Sequence, residues 1–481
     1  MRVEWDEGHA LTSLGQTVYF IDFRKTSGLL DAWVGDCPLR YVSPNAPRVR
    51  DVLCTMVLSI LAGHRRYAHV TALRSDGVLP ELLGMKRVAS EDSVRRGLKA
   101  LPEAAGLEWL QRHLDRCTHP LPGEPWILDI DTTVKPLYGH QEGAVVGYNP
   151  KKPGRPSHVH HTYMLAGVRL AMGVETLAGN QHTGKHAAPG LWALLDRVAG
   201  DCRPTLLRGD AGIGSENTMA EAERRGIDYL FRLRLTRNAR RLVERAFLSG
   251  DWQDGGQGWE GKQESLRLVG WSRQRPVVVL RRRLKEAVAL DRRGDPAQPR
   301  LAFAEIGPGA ELYEYAVLAT TLEAEVVSIA QLYRDRGDCE NVFDELKNQW
   351  GWGGFTTRDL ARCRLTAKMV ALVYDWWNLF TRLAEPDKHL EAITSRPLLL
   401  AAIAERTRHG RQTTLRIAST HGKAGWARRA LEGVAAFLRG LIETAEQLTP
   451  DQKWARILAH ALRAWLKGRQ LRAPPRLQAM A

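Results

Sequence analysis

Three acidic residues stand where a metal site could form: Asp131, Asp210 and Glu340. Asp131 lies in Trp126-Ile-Leu-Asp-Ile-Asp-Thr-Thr-Val, whose alternation predicts a strand. Asp210 closes a second predicted strand, and the Ala-Gly-Ile-Gly that follows allows a tight turn. Acids at the ends of neighbouring strands can converge, and a helix packed on the sheet can add a third. Such hard oxygen ligands suit Mg²⁺, and two ions about 3.5–4 Å apart would serve phosphoryl chemistry.

The third acid belongs to a polar stripe on a helix that we predict from Glu325 through Trp350. Four residues share roughly 60° of its circumference at 100° per residue: Tyr333, Arg336, Glu340 and Lys347. An aromatic ring, two cations and a carboxylate are not typical of a core-facing stripe. The simple alternative is a solvated face with an Arg–Glu pair four residues apart.

Two of the three acids have an acidic neighbour that could be the metal ligand in their place. Asp344 shares the helical stripe with Glu340. Asp129 lies two residues before Asp131, so both project from the same face of the strand. Strand geometry alone does not choose between Asp129 and Asp131.

The positive charge is concentrated near the C-terminus. The 481 residues contain 69 Lys and Arg against 54 Asp and Glu, a net charge of +15. Residues 361–481 hold 21 of the basic and 9 of the acidic residues, or +12, which leaves 48 and 45 for residues 1–360. This asymmetry indicates a surface that binds a polyanion such as DNA or RNA.

Other broad features narrow the class of protein. No run of apolar residues is long enough for a transmembrane helix, and the N-terminus lacks a secretory pattern, so we expect a cytoplasmic, nucleoid-associated protein. The six cysteines have no CxxC spacing, which favours free thiols over a zinc ribbon or disulfides. P-loop, GxSxG and HExxH motifs are missing from the sequence.

The order of predicted elements defines the domains. Residues 1–120 are predicted to be helical, with Ser90 as an N-cap and Leu83–Leu101 as either a small DNA-binding unit or a structural helix. Three strands and then helix, strand, helix, strand predict an α/β core with a mixed sheet over residues 121–235. Residues 236–325 are predicted to be a β-rich insertion, 326–383 the final core helices, and 384–481 a basic helical region with a loose tail from Arg472.

The motif Tyr333-x-x-Arg336-x-x-x-Glu340-x-x-x-x-x-x-Lys347 resembles the Tyr–Arg–Glu–Lys signature of bacterial insertion-sequence DDE transposases. These enzymes have an RNase H-like catalytic domain with a β-strand insertion before the Glu. The stretches Asp-Ile-Asp-Thr-Thr, Tyr138-Gly-His-Gln-Glu-Gly, Gly147-Tyr-Asn-Pro-Lys-Lys-Pro-Gly-Arg-Pro-Ser-His and Arg208-Gly-Asp-Ala-Gly-Ile-Gly-Ser-Glu are also similar. The resemblance covers roughly residues 50–380.

This resemblance implies roles for the stripe and for the two aspartates. Asp131, Asp210 and Glu340 would bind Mg²⁺, or Mn²⁺ in its place, and the family's Asp-x-Thr pattern favours Asp131 over Asp129. Arg336 and Lys347 would hold DNA phosphates, and Tyr333 would contact a terminal phosphate or sugar. The partners would be double-stranded DNA, as transposon ends and target, and a second copy of the chain in a synaptic homodimer.

Three further groups have both a functional and a structural interpretation. The basic loop with Lys151, Lys152 and Arg155 is equally consistent with DNA contact and with simple exposure. The histidines of Ser157-His-Val-His-His, with His182 and His186, could bind zinc, although polar packing is favoured. The tryptophans of the insertion, Trp252, Trp259 and Trp271, could stack on a flipped base but fit a core role better.

The sequence therefore predicts metal-dependent hydrolysis at transposon ends followed by strand transfer into target DNA. An RNase H-like nuclease that cuts without strand transfer is the enzymatic alternative. A DNA-binding derivative without catalysis is the non-enzymatic one.

Overall fold

The computed structural model describes residues 1–4, 8–118, 120–121, 125–149, 151–181, 183–198, 202–284, 313–418, 421–444, 446–468 and 471. Within these residues the chain forms two compact units. One unit joins Met1–Leu121 to Phe343–Ala481, and the other is Pro122–Val342. The predicted helical regions at the two ends thus belong to one unit. The predicted tail from Arg472 lies outside the described residues.

The N-terminal part of the first unit is mostly helical, as predicted. After a short strand, β1 (Ala10–Thr12), its helices are α1 (Thr17–Thr26), α2 (Leu29–Gly35), α3 (Val49–Leu61), α4 (Leu79–Leu82), α5 (Glu91–Ala100) and α6 (Glu103–Thr118), with a 3₁₀ helix at Tyr67–Ser75. The predicted N-cap is present, because the Ser90 side chain accepts a hydrogen bond from the Ser93 backbone N–H at the start of α5.

The second unit is built on a mixed sheet with helices between its strands. Its elements in chain order are β2 (Ile127–Pro136), β3 (Val145–Val146), β4 (Pro156–Leu165), β5 (Leu170–Ala178), α7 (Thr183–Asp196), β6 (Leu206–Gly209), α8 (Glu216–Arg224), β7 (Asp228–Arg232), α9 (Arg237–Ser249), β8 (Gln253–Gly256), β9 (Trp259–Leu266), β10 (Arg275–Arg283), β11 (Tyr313–Thr320) and α10 (Val326–Arg334). The helix α11 (Gly337–Asn348) follows α10.

The strand order confirms the predicted α/β class with a mixed sheet. The sheet runs β3-β4-β2-β6-β7-β11-β10-β9-β8, and β5 also pairs with β4. β2 is antiparallel to β4 and parallel to β6, and β6 is parallel to β7. The predicted insertion continues this sheet rather than standing apart, since β11 pairs with β7 through Leu318 and Arg232.

A hydrophobic cluster fixes α10 on the sheet. Side chains of β6, β7, β10 and β11 pack against Val326, Ile329 and Ala330 of α10. All three of these helix residues are almost completely buried. Burial of this apolar face on the sheet is the main force that places the end of α10, and therefore the residues that follow it.

Three local predictions were wrong. The helix predicted from Glu325 through Trp350 is interrupted by a turn at Asp335 and Arg336, because Asp and Gly337 are poor helix formers. Within the insertion, the sequence predicts Gly-rich turns around Gly250–Gly261 and a strand at Leu266–Trp271, but β8 and β9 occupy much of the Gly-rich stretch and β9 ends at Leu266.

The third error concerns the C-terminal region, which is not entirely helical. Its helices are α12 (Leu360–Ala384), α13 (Ala392–Leu399), α14 (Ala424–Glu443), α15 (Pro450–Ala461) and α16 (Arg463–Leu466). Between them lies a hairpin of β12 (Ala404–His409) and β13 (Gln412–Ile417), which joins β1 in a small sheet. None of the described helices is long and apolar enough to span a membrane. The six cysteines are free, as predicted.

Candidate active site

The two aspartates lie side by side where the parallel pairing of β2 and β6 ends, and β2 itself continues to Pro136. The register pairs Ile130 of β2 with Gly209 of β6, so Asp131 and Asp210 are each one residue beyond that pair. Gly209 is required at this crossing because a Cβ there would lie 2.0 Å from Cγ2 of Ile213. The Asp210 carboxylate accepts a hydrogen bond of 2.8 Å from the Gly212 N–H, which fixes the turn after β6.

Asp131 is held in a site with little solvent. Its carboxylate accepts hydrogen bonds from the Thr132 N–H at 2.7 Å and from Arg336 at 2.9 Å. The pKa of Asp131 is raised to about 7, chiefly by burial and also by the nearby Asp210 carboxylate, while the Arg336 guanidinium acts in the opposite direction. Two carboxylates packed in this way favour a cation between them.

Arg336 connects Asp131 to Glu340. Its guanidinium donates to Asp131 and, at 2.5 Å, to Glu340, while its own side chain is only 10% exposed. The interruption between α10 and α11 places Arg336 here, since in a continuous helix it would lie on the solvated stripe. Glu340 remains 60% exposed, so its carboxylate is the accessible one of the pair. The ring of Tyr333 lies 5.7 Å from the Arg336 guanidinium carbon, and burial raises the pKa of Tyr333.

The Asp129 carboxylate forms an ion pair with Arg208. Its two oxygens accept hydrogen bonds of 2.6 and 2.8 Å from Arg208, and both side chains are 3% exposed. Arg208 also donates to the carbonyl of Leu332 in the last turn of α10, at 2.5 Å. The Asp129–Arg208 pair therefore ties the end of α10 to β2 and β6.

This pair is not among the predicted contacts, although the spacing of its residues could have indicated it. Asp129 and Arg208 each lie two residues before one of the site aspartates, and they face each other directly in the parallel register. A second ion pair, Arg169 with Asp338, joins the turn before β5 to the first turn of α11. The interruption that carries Arg336 is thus braced on both sides.

The other residues of the stripe lie further along α11. Lys347 is in its last turn, two turns after Glu340. The carboxylate of Asp344, the alternative to Glu340, accepts a hydrogen bond of 2.7 Å from Asn348. Glu340, by contrast, shares Arg336 with Asp131.

The three cations of the basic loop lie between β3 and β4. Lys151, Lys152 and Arg155 are all exposed. The cationic groups of Lys152 and Arg155 lie 5.0 and 4.9 Å from the ring centre of Tyr138, and Lys152 also hydrogen bonds to the Tyr138 hydroxyl. Tyr138, which is itself exposed, therefore groups two cations at one place on the surface.

The histidines are packed as polar core groups. Their rings make these hydrogen bonds: His158 with the Glu142 carbonyl, His160 with the Thr176 hydroxyl, and His161 with the Thr132 hydroxyl and the Gln181 carbonyl. Burial lowers the pKa of His161 to about 4. His182 lies outside the described residues. In the described part of the chain no three His, Cys, Asp or Glu side chains are close enough to hold a metal ion together.

The tryptophans of the predicted insertion differ in burial. Trp271 is buried, in agreement with a core role. Trp252 and Trp259 are partly buried, with the guanidinium carbons of Arg281 and Arg282 at 4.0 and 4.9 Å from their ring centres. Trp259 also packs against the cluster beneath α10.

Comparison with known proteins identifies the family. No curated protein matches the chain. Among solved structures the chain is similar to a piggyBac transposase in a synaptic complex with hairpin DNA, at 10% sequence identity and a TM-score of 0.40. That alignment covers 93% of this chain and 84% of the other. A family model described as "Transposase DDE domain group 1" matches residues 2–437, so the chain belongs to this transposase family.

Proposed function

We propose that this protein is a DNA transposase that hydrolyses the phosphodiester bond at each transposon end and joins the freed 3′ end to target DNA. One observation carries the proposal. Asp131 and Asp210 lie side by side on adjacent parallel strands, each one residue beyond the pair Ile130–Gly209, and Arg336 links Asp131 to the more exposed Glu340. The family places a DDE domain over this part of the chain.

Transposases with a DDE domain generally use divalent metal ions, and we propose Mg²⁺, with Mn²⁺ as a substitute, held by Asp131, Asp210 and Glu340. The donor chemistry fits, because hard carboxylate oxygens suit these ions and the buried Asp131 lies beside a second carboxylate, that of Asp210. A bound divalent ion would activate the attacking oxygen and stabilise the leaving one. Arg336 must exchange a carboxylate partner before the three acids can share such an ion.

The remaining site residues would hold the DNA. Once Arg336 releases a carboxylate, its guanidinium can bind a phosphate beside the scissile bond, and Lys347 can bind another further along α11. Tyr333 would contact a terminal phosphate or sugar. The loop cations Lys151, Lys152 and Arg155 would contact the duplex backbone. Two DNA ends require at least two copies of the chain, so we propose a homodimer in the synaptic complex.

The test uses the inverted repeats expected in the DNA that flanks the coding region. A labelled duplex with such an end is incubated with Mg²⁺ and the Asp210→Asn variant, and cleavage and DNA binding are measured separately. We expect loss of cleavage with DNA affinity close to that of the unchanged protein. Asp344→Asn is the matched control, since it removes one exposed carboxylate from α11, and it should cleave normally.

Other results would give a different function. Cleavage that survives Asp210→Asn would exclude this triad. Cleavage without joining of the labelled end to a target plasmid would indicate a nuclease. DNA binding by the unchanged protein, without cleavage in Mg²⁺ or Mn²⁺, would indicate a non-catalytic derivative.

A further inference from the structure

The β12–β13 hairpin begins a strongly basic stretch of the chain. Residues 406–431 contain no Asp or Glu and seven Lys or Arg, which are Arg406, Arg408, Arg411, Arg416, Lys423, Arg428 and Arg429. This is one third of the 21 basic residues after residue 360. The proposed catalytic site uses none of them.

The outer half of the hairpin is a two-stranded ribbon. β1 pairs with β12 only from Ala404 to Arg406, so beyond Arg406 the two strands have only each other as partners. Residues 408–414 are all exposed. A two-residue loop turns the chain, with Gly410 at the positive φ of 58° that such a turn needs at its first position.

The cations of the ribbon have no described acidic partner. At its base, Arg406 pairs with Glu81, and Glu405 lies 3.6 Å from His9. Further out, Arg408, Arg411 and Arg416 form no ion pair within the part of the chain that the structure describes. Because Arg408 pairs in register with Thr413, Arg408 and Arg416 project from opposite faces, and Arg411 is at the tip.

We propose that this ribbon, defined as residues 407–416, enters the major groove of duplex DNA. The major groove is about 12 Å wide and admits a two-stranded ribbon. Arginines on both faces would then reach the phosphates on either side of the groove, and the tip arginine would face the base edges. A two-stranded ribbon is also only marginally stable alone, so a partner is expected to order it. The inference rests on DNA as the proposed substrate but not on the cleavage chemistry.

The test measures DNA binding by the full chain. Fluorescence anisotropy with a labelled 30-base-pair duplex of mixed sequence, about three helical turns, is recorded over a series of salt concentrations without divalent ions. The variant Arg408→Ser/Arg411→Ser removes two exposed charges from the ribbon. The control Arg224→Ser/Arg456→Ser removes two charges from helices, where each arginine is exposed and paired with a glutamate.

We expect the ribbon variant to bind duplex about tenfold or more weakly at 0.1 M salt, with the salt slope reduced by about 2. The control should stay close to the unchanged protein. Duplex DNA should also protect the chain from trypsin at Arg408 and Arg411, whereas single-stranded DNA of the same length should not.

Three outcomes would overturn the inference. The first is equal loss of affinity in the ribbon and control variants, which would indicate a general charge effect. The second is equal loss for single-stranded and duplex DNA, which would exclude groove binding. The third is unchanged binding by the ribbon variant. The loss of cleavage expected for Asp210→Asn is independent of all three, so failure of the ribbon and failure of the proposed activity are distinguishable.

Discussion

Breaking the buried Asp129–Arg208 pair should destabilise the unit that carries the site. Both side chains are 3% exposed, and Arg208 makes three hydrogen bonds, two to Asp129 and one to the Leu332 carbonyl. Asp129→Asn leaves a buried guanidinium without its counter-charge, and Arg208→Met leaves a buried carboxylate. Removal of one partner of such a pair costs about 3–5 kcal/mol. The double variant Asp129→Leu/Arg208→Met leaves neither charge behind and should recover most of that loss.

The assay is urea unfolding of the unchanged protein, the two single variants and the double variant. Arg208→Met also removes the contact with the Leu332 carbonyl and should release the end of α10, so this variant should cleave DNA poorly at urea concentrations where it remains folded. The pair Arg224–Glu221 provides the control, because the Arg224 side chain is 67% exposed, and Arg224→Gln should lower the free energy of unfolding far less than either single variant. Two results would refute this role of the buried ion pair. One is that the single variants unfold at the same urea concentration as the unchanged protein, and the other is that the double variant is less stable than both single variants.

Three further predictions concern other positions. Gly209→Ala should lower both the unfolding midpoint and cleavage, because the added methyl would lie 2.0 Å from the Ile213 side chain, and retention of both would contradict the close crossing. Burial would raise the pKa of Glu223, but its ion pairs, chiefly with Arg275, outweigh burial and lower the pKa to about 2. The free energy of unfolding should therefore fall as the pH drops from about 4.3 towards 2. Arg275→Met should make the free energy of unfolding less dependent on pH in this range. An unchanged pH dependence would show that the ion pairs of Glu223 are not its cause. Glu345→Ala should lower the free energy of unfolding in urea by several kcal/mol, because the buried Glu345 carboxylate accepts hydrogen bonds from His389, Trp350 and the Ala392 N–H. An unchanged free energy of unfolding would show that these hydrogen bonds do not stabilise the fold.

The pattern of the sequence was sufficient to predict the class of fold and the family. Alternation around Asp131 and the order of strands and helices predicted the mixed sheet that is observed. The family-level resemblance is confirmed, whereas an insertion-sequence origin and the individual site residues stay proposals. Strand ends carry side chains to predictable places because parallel strands end at the same edge of a sheet.

The interruption between α10 and α11 could not be predicted from periodicity. A helical wheel assumes one continuous axis, and on that assumption Arg336 lies on a solvated face. Its burial depends on tertiary contacts that cross the sheet, such as those of Arg208 and Arg169. The β12–β13 hairpin was missed for a similar reason, since its strands are polar and exposed and lack the apolar alternation that predicts a strand.

The pairing of β7 with β11 has a consequence for the order in which the chain folds. Leu230 pairs with Thr320, ninety positions later in the chain, while β9 and β10 can form a local hairpin on their own. Closing a loop of that length costs about 4 kcal/mol in chain entropy beyond a constant, so this step should come late in folding. Glu340 follows β11, and during synthesis the two aspartates are therefore made long before their glutamate. A newly made chain would remain unable to cut DNA until the last strand of its core has docked.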